Sequence, residues 1–428
     1  MIRRSLPTGP LTEREFRLLF TGQALSVIGD GIAPIALAFA VLDLTHSPTD
    51  LGLVLTAAYL PMVAFLLIGG VWADRLSRRA VMLAADAVRA ATQGTIGILL
   101  LTGSARLWEL VVLQVIYGIA AAFFRPAATG LIPATVSPPR LQSANAMLGT
   151  SESLGFTIGP AVGGVLVAGL GTGVAFVFDA ATFLWSIVCL ARMHPRAVEP
   201  PAPQRFMSDL SDGFREVRTR KWVWVSILAV GLSLMVEVAP LQVLGPVIAR
   251  VHFGGATAWA AMEAAFGAGT VLGGVTALRV SPRRPLLFVN LCILLCAPGS
   301  IALGIPAPLA AIVAAQLIAG WSVGLYIPVW ETLIQQRIPP AALSRVSAYD
   351  WMGSLVFMPL GFALAGPVAG VIGAPATLIS GGVFCVIGVA ATLAVPEIRQ
   401  LERLPDTPAT DEQSAVRDEA APAPAPPS

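Results

Sequence analysis

Apolar residues fall into blocks of about 20, the length a helix needs to cross a hydrocarbon core, separated by short polar breaks. Six blocks cover 16–41, 51–72, 80–101, 107–132, 143–168 and 173–193, and six more cover 222–248, 257–278, 285–303, 307–333, 344–371 and 375–395. Each block is continuous rather than alternating, which argues for helices and against a transmembrane barrel. The pattern predicts an all-α membrane protein with twelve transmembrane helices. Residues 1–15 form a leading tail, 16–193 an N-terminal six-helix half, 194–221 a polar connector and 222–395 a C-terminal six-helix half. In the connector, Met207, Leu210, Phe214 and Val217 share one face of a short amphipathic helix, expected to lie on the cytoplasmic surface as a tether between the halves. The segment 396–428 is rich in Pro, Ala and acid, has little apolar surface to bury, and is expected to be disordered.

Polar landmarks repeat between the halves. Gln114-x-Ile116-x-Gly118 recurs as Gln316-x-Ile318-x-Gly320, and Phe124-Arg125-Pro126 falls on Tyr326-Ile327-Pro328. Gly69-Gly70-Val71 recurs as Gly273-Gly274-Val275, and Asp30-Gly31-Ile32-Ala33-Pro34 as Glu237-Val238-Ala239-Pro240 with one residue deleted. Two pseudo-symmetric six-helix halves of the same orientation imply a pseudo-two-fold axis along the membrane normal. The substrate path is then expected at their interface, near mid-depth. Arginines crowd one side of the predicted bundle, at Arg14, Arg17, Arg75, Arg78, Arg79, Arg140 and in the connector, while Arg106 and Arg250 fall on the other. The positive-inside effect makes the crowded side cytoplasmic, with both termini inside.

Composition narrows the function classes. Hydrophobic residues make up 56% and charged residues 12% of the chain, against roughly a quarter charged in a soluble domain. A formal charge of +2 leaves no footprint for nucleic acid. Cys189, Cys292, Cys296 and Cys385 lie in apolar blocks and read as packing residues, with no metal or disulfide role expected. His46, His194 and His252 form no ligand cluster, and no Gly-Lys-Ser/Thr phosphate loop is present, so no enzyme activity is expected. The Arg-rich start leads into a full-length span without a cleavage-type site, so no signal peptide is expected.

Ionisable side chains inside spans are costly and read as functional. The proton-coupling candidates are Asp30, Glu152, Glu237 and Glu263, with Asp179 a further intramembrane acid. Asp30 and Glu237 correspond across the repeat, and each could load a proton outside and release it inside as access alternates. Asp30 could instead make a structural hydrogen bond, for example to Arg125, and Glu152 could instead face a cationic substrate. Asp86 and Arg89, three apart on one face, read as a local ion pair near the cytoplasmic end of their span. Gly155, Gly159 and Gly163 lie four apart in the fifth span, and Pro160 can bend it. This predicts a smooth helix seam between the halves.

Gly70-x-x-x-Asp74-Arg75-x-x-Arg78-Arg79, between the second and third spans, resembles the signature loop of the major facilitator superfamily. The two six-span halves with a long central connector resemble the major facilitator fold. The stretch Phe16-Arg17-Leu18-Leu19-Phe20-x-Gly22-Gln23-x-x-Ser26-x-x-Gly29-Asp30, with Phe124-Arg125-Pro126-Ala127 and Ser143-Ala144-Asn145-Ala146, is similar to a bacterial exporter branch of that superfamily: the transmembrane secretion effector, macrolide-efflux and enterobactin-exporter type. Gly155-x-x-x-Gly159-Pro160-x-x-Gly163-Gly164 resembles the antiporter motif of drug-efflux members, although Ala146 stands where that motif usually has an earlier glycine. The resemblance implies a cytoplasmic gate built from Gly70, Asp74, Arg75, Arg78, Arg79 and Arg125. In it Asp74 docks on the start of the eleventh span near Ser344 when the halves close, with Arg125 as a second partner. Leu278 stands where the second half would need its acid. The loop arginines could equally do no more than hold topology.

The expected function is secondary active transport. The leading form is proton-coupled export, by antiport, of a hydrophobic or amphiphilic small molecule such as a drug, antibiotic or siderophore. Alternating access of a monomer in the bacterial inner membrane would carry it, energised by the proton gradient with no cofactor. A proton-coupled uptake symporter and a non-transporting membrane scaffold or sensor are the alternatives.

Overall fold

A computed structural model describes residues 9–75, 77–196, 206–305 and 307–403, with side chains described at all of these except 66–75, 206–212, 340–341 and 344. The N-terminal half holds α1 (Arg14–Thr45), α2 (Pro48–Arg75), α3 (Arg78–Leu101), α4 (Leu107–Leu131), α5 (Leu141–Leu170) and α6 (Thr172–Ala191). A connector helix, α7 (Phe206–Thr219), leads into α8 (Lys221–Ser233), α9 (Ala239–His252), α10 (Ala256–Ala277), α11 (Pro285–Leu294) and α12 (Ala297–Gly304). The chain closes with α13 (Leu309–Arg337), α14 (Pro340–Leu355), α15 (Met358–Ile372), α16 (Ala374–Ala394) and α17 (Pro396–Gln400). Among the described residues 10 helical runs are long and apolar enough to cross a membrane. The two expected spans outside that set are α3, which carries Asp86 and Arg89, and α10, which is rich in Ala and Gly.

Three expected spans are each broken in two, and proline explains each break. The seventh span is α8 and α9 joined by a π-helical turn, Leu234–Val238, just before Pro240. The ninth is α11 and α12, parted ahead of Pro298, and the eleventh is α14 and α15, parted ahead of Pro359. A proline has no N–H to give the preceding turn, so the carbonyls there lose their helical partners and the chain re-pairs locally. Helix ends are set by short-range chemistry. Ser77 Oγ accepts from Ala80 N at 3.4 Å to start α3, and Glu109 Oε2 accepts from Arg106 N at 2.9 Å to start α4. The tight turns from α5 to α6 and from α15 to α16 pass through Gly171 and Gly373, both at φ 87°, a conformation that suits glycine.

Helices pack in the same cyclic order in both halves. In the first, neighbours run α2, α4, α3, α6, α1, α5. In the second they run α10, α13, α11 with α12, α16, α8 with α9, then α14 with α15. Gly118 lets α4 lie on α2, where an added Cβ would overlap the Ala58 carbonyl, and Gly320 lets α13 lie on α10 against the Phe266 carbonyl. The repeated Gln-x-Ile-x-Gly pattern thus performs one packing task twice. The halves meet through α2 against α15 and α5 against α10.

The end of the bundle carrying the arginine-rich loops is called the basic end below. At the opposite end one apolar core runs through both halves, including Leu37, Leu51, Leu244, Trp259 and Phe362. At the basic end the apolar clusters remain within single halves: Phe16, Met82 and Leu131 in the first, Trp222, Leu333 and Val346 in the second. Among the described residues one apolar core joins the halves at the opposite end, and no apolar cluster joins them at the basic end.

The connector forms the expected helix, and both it and the start of the tail pack on the second half. Helix α7 docks on α14: Val217 is buried, Phe214 lies 6.1 Å from Tyr349 between ring centroids, and Gly213 sits against Arg345 and Tyr349. It is anchored to the second half; the side chains of Met207 and Leu210 lie outside the described set. The chain also continues in order past Val395. Ile398 is fully buried in the basic-end cluster with Leu286 and Leu333, and Arg403 N donates to Arg283 O at 2.9 Å. Residues 396–403 thus depart from the expected disorder, because one isoleucine finds an apolar socket; residues 404–428 lie outside the described set.

Ahead of α1, Glu13 ties the chain start to the loop between α4 and α5. It accepts from Ser137 N and Oγ at 3.0 and 2.7 Å, and from Arg140 Nη1 at 3.0 Å. The Ser137 backbone N–H, then the Ser137 hydroxyl and Arg140, hold its carboxyl below the ordinary range against a smaller opposing effect of burial. A carboxyl lowered on folding contributes stability above its unfolded pKa and loses it as pH falls through the folded one. Glu13→Gln should therefore cost about 1 kcal/mol near neutral pH after solvent screening. The difference from wild type should vanish in acid, in thermal unfolding of the detergent-solubilised protein across pH.

Candidate functional site

Asp30 lies midway along α1, and its side chain is 35% exposed although the residue sits within a membrane span. Its Oδ1 accepts from the Tyr117 hydroxyl of α4 at 3.1 Å and lies 3.8 Å from Arg89 Nη1 of α3. Beside it, Arg125 of α4 pairs with Glu152 of α5 at 2.5 Å, with the two side chains 62% and 47% exposed. Helices α4 and α5 scarcely touch elsewhere, so this pair bridges the concave wall of the first half. Charged groups this exposed within the spans are tolerated only beside water, which places an aqueous cleft, not lipid, against this wall.

Behind Asp30 is a buried polar group. Arg89 is 4% exposed, pairs with Asp86, and stacks between the rings of Phe124 and Phe183 at 4.0 and 4.3 Å from their centroids. Planar stacking on two aromatic faces fixes the guanidinium in place. Asp86 is fully buried and accepts from the Ser186 hydroxyl at 2.7 Å. Asp179 is also fully buried and accepts from Gln93 Nε2 at 2.8 Å. An added Cβ at Gly29 would overlap Asp179 Oδ1 and Thr182 Oγ1, so α1 presses directly on α6 beside Asp30. The Asp86–Arg89 pair is thus present as the spacing predicts, but it is not local. It lies at mid-depth and reaches Asp30, because α3 brings it to the centre of the half.

The other acids are placed apart. Glu263 of α10 is half-buried, with both oxygens 3.4 Å from Gln242 Nε2. Glu237, the repeat counterpart of Asp30, is buried in the π-helical turn, accepts from the Ser300 hydroxyl at 3.4 Å and lies in hydrogen-bonding reach of the Cys385 thiol. The repeat therefore does not carry the exposure of Asp30 into the second half, since the extra residue of the turn re-aims the side chain into the α9–α12–α16 wall.

Gly155 and Gly159 fit against Val27 and Gly31, and Gly163 against Ile32, all on α1. The three-glycine face is thus a seam inside the first half, not between halves as the spacing suggested. Gly164, one position on and about 100° round the helix, is the glycine of this motif that meets the other half, at Ala260. Pro160 is buried in the same seam beside Gly31.

Of the expected gate, the side chains of Gly70, Asp74 and Arg75 lie outside the described set. Arg125 faces Glu152. Arg78 donates to the Gly130 carbonyl, and Arg79 to those of Leu190 and Ala191, each at 2.6 Å. These arginines clamp the start of α3 to the ends of α4 and α6, where cations suit the exposed carbonyls. Residue spacing does not signal the contact at the opposite end, where Arg250 of α9 pairs with Asp43 of α1 at 2.8 Å across the halves. Both side chains are partly exposed, so Arg250→Gln should cost about 0.2–1 kcal/mol of closure there. Spin-label distances across the opposite end should broaden accordingly; unchanged distances would remove the latch role.

The sequence profile of the Major Facilitator Superfamily matches residues 19–354. The chain is 25% identical over 398 residues to macrolide efflux protein A of Streptococcus pyogenes, covering 91% of this chain and 97% of that protein. It is 27% identical over 405 residues to the multidrug efflux pump Tap of Mycobacterium tuberculosis, covering 91% and 95%. Its fold is similar to that of a bacterial homolog of the human lysosomal transporter Spinster, crystallised inward-facing and occupied. The TM-score there is 0.71 at 18% identity, over 93% of this chain and 100% of that one. Two six-helix halves in matching cyclic order, a cleft between them and a profile match over most of the chain lead to one conclusion: this multi-pass membrane protein belongs to the major facilitator superfamily of transporters.

Proposed function

We propose that the protein exports a hydrophobic or amphiphilic small molecule in exchange for protons, in the inner membrane of a bacterium, with both termini cytoplasmic. The observation that carries this reading is Asp30. It is a carboxylate open to the cleft at mid-depth and held between Tyr117 and a buried guanidinium. With the basic end cytoplasmic, the cleft is open inward, where a proton can leave Asp30 and a substrate can enter. Closing the basic end and opening the other would expose Asp30 to the outside for reprotonation. Efflux relatives that span the chain over more than nine-tenths of its length support the outward direction.

Everted membrane vesicles with an acidic lumen test this, with a macrolide as probe. Antiport fills the lumen with probe and raises lumenal pH when probe is added. Uptake symport empties the lumen of probe under the same gradient, and that outcome would refute export. No proton-dependent flux with any of a panel of amphiphilic drugs would favour a non-transporting role.

A further inference from the structure

A second carboxyl behind Asp30 has no part in that reading. Asp179 and Gln93 are both buried and joined by one hydrogen bond, Gln93 Nε2 to Asp179 Oδ2. Asp179 Oδ1 and Gln93 Oε1 are both buried without a hydrogen-bond partner. These two orphans belong to the same pair of side chains. A proton on Asp179 Oδ1 that reached Gln93 Oε1 would satisfy both orphaned atoms and complete a cyclic acid–amide pair with the bond already present. A bare carboxylate leaves the amide oxygen orphaned and an anion buried with a single donor, which is strongly disfavoured.

Charge leads to the same place. The groups facing Asp179 are Gln93 and Arg89 from α3, Asp30 from α1 and Tyr117 from α4; Asp86 of α3 is the partner of Arg89, and Glu152 of α5 is paired to Arg125. Among the described residues Arg89 is the cation of this group, and Asp86 and Asp30 already share it. Were Asp179 ionised, a negative charge would remain even after Asp30 took up a proton. With Asp179 neutral, a protonated Asp30 leaves Asp86 and Arg89 to cancel, and the half can be sealed from water without net charge.

We propose that Asp179 is a resident neutral acid sharing a fixed proton with the Gln93 amide, and that this proton sets the charge of the buried group so that Asp30 is its exchanging carboxyl. The second clause rests on the reading of Asp30 given above; the first does not. Asp179 is then a positioning residue: its proton stays while that of Asp30 moves.

Infrared spectra of the full-length protein in liposomes at neutral pH test the first clause. A protonated-carboxyl C=O component should be present in wild type and in Asp30→Asn, and the wild-type minus Asp179→Asn difference spectrum should show the loss of one such component. Identical spectra in that region for wild type and Asp179→Asn would mean an ionised Asp179 and overturn the proposal. If Asp179→Asn fails to insert, Gln93→Leu serves instead. Loss of the amide partner should move the band to higher wavenumber, and an unmoved band would overturn the pairing.

Export assays test the second clause. An Asn at this position can make the same two hydrogen bonds with Gln93, so the pH midpoint of export should stay where it is in wild type. A midpoint moved by about one pH unit or more would show that Asp179 titrates in the cycle, against the proposal. Should Asp30→Asn retain proton drive, the reading of Asp30 fails while the infrared result for Asp179 still stands or falls alone.

Discussion

Asp30→Asn is expected to abolish concentrative export and to spare exchange. With one proton carried per cycle, a pH difference of one unit is worth about 1.4 kcal/mol, enough to hold about a tenfold substrate ratio. The asparagine still accepts from Tyr117 but has no proton to exchange, so the ratio sustained by the same gradient should fall to about one. Binding and rocking do not need that proton in a symmetric counterflow experiment, with labelled substrate on one side and unlabelled on the other. Counterflow should therefore persist. The two assays together separate a coupling residue from a folding one, since a misfolded variant loses both. Gradient-driven export that survives in Asp30→Asn would move coupling elsewhere, with Glu263 the next acid to replace.

Arg89→Leu should have the largest effect on stability. The guanidinium is the counter-charge of Asp86 and the nearest cation to Asp30, and it is clasped by two aromatic rings. Removing one partner of a buried pair leaves an uncompensated charge and costs about 3–5 kcal/mol. The detergent-solubilised variant should unfold at markedly lower temperature and be recovered in lower yield. Lysine should not rescue it, because an ammonium neither stacks between Phe124 and Phe183 nor presents a planar fork to two acids. The double variant Asp86→Leu with Arg89→Leu removes both charges and should regain much of the stability, as buried pairs replaced by apolar side chains of similar volume often do. Its export should still fail, since Asp30 would face the cleft without its counter-charge. An Arg89→Leu protein as stable as wild type would show that other groups balance Asp86.

Of the expected gate residues with described side chains, Arg78, Arg79 and Arg125, none had its partner legible in the spacing. Arg125 was expected as a partner of Asp74 or of Asp30, yet it bridges to Glu152 on α5. Nothing in the spacing of residues 125 and 152 indicates that their helices line opposite sides of one wall. Arg78 and Arg79 could be read as topology signals, and in the structure they also staple helix ends by binding free carbonyls. The three glycines of α5 predicted close packing correctly. Which helix they would meet was a question of rotation about the axis of α5, and the answer is α1 in the same half.

Sequence alone determined the twelve spans, the two halves, the crowding of arginines at one end and the family. Each of these follows from a local rule: the hydrocarbon core demands about 20 apolar residues per crossing, and the motifs that repeat between halves are short and contiguous. Even the packing task of Gly118 and Gly320 was foreshadowed by the repeat. Tertiary structure decided which charges meet. Asp30, Asp86, Arg89 and Asp179 come from three helices, and only the packing of α1, α3 and α6 makes them one group. It also separated Asp30 from Glu237, which the repeat had made equivalents, because a π-helical turn before Pro240 turns one acid into a wall while the other stays open to the cleft. In hydrocarbon a charge is tolerated only where a partner or water reaches it, and which of the two it finds depends on helix rotation that no single-chain pattern records.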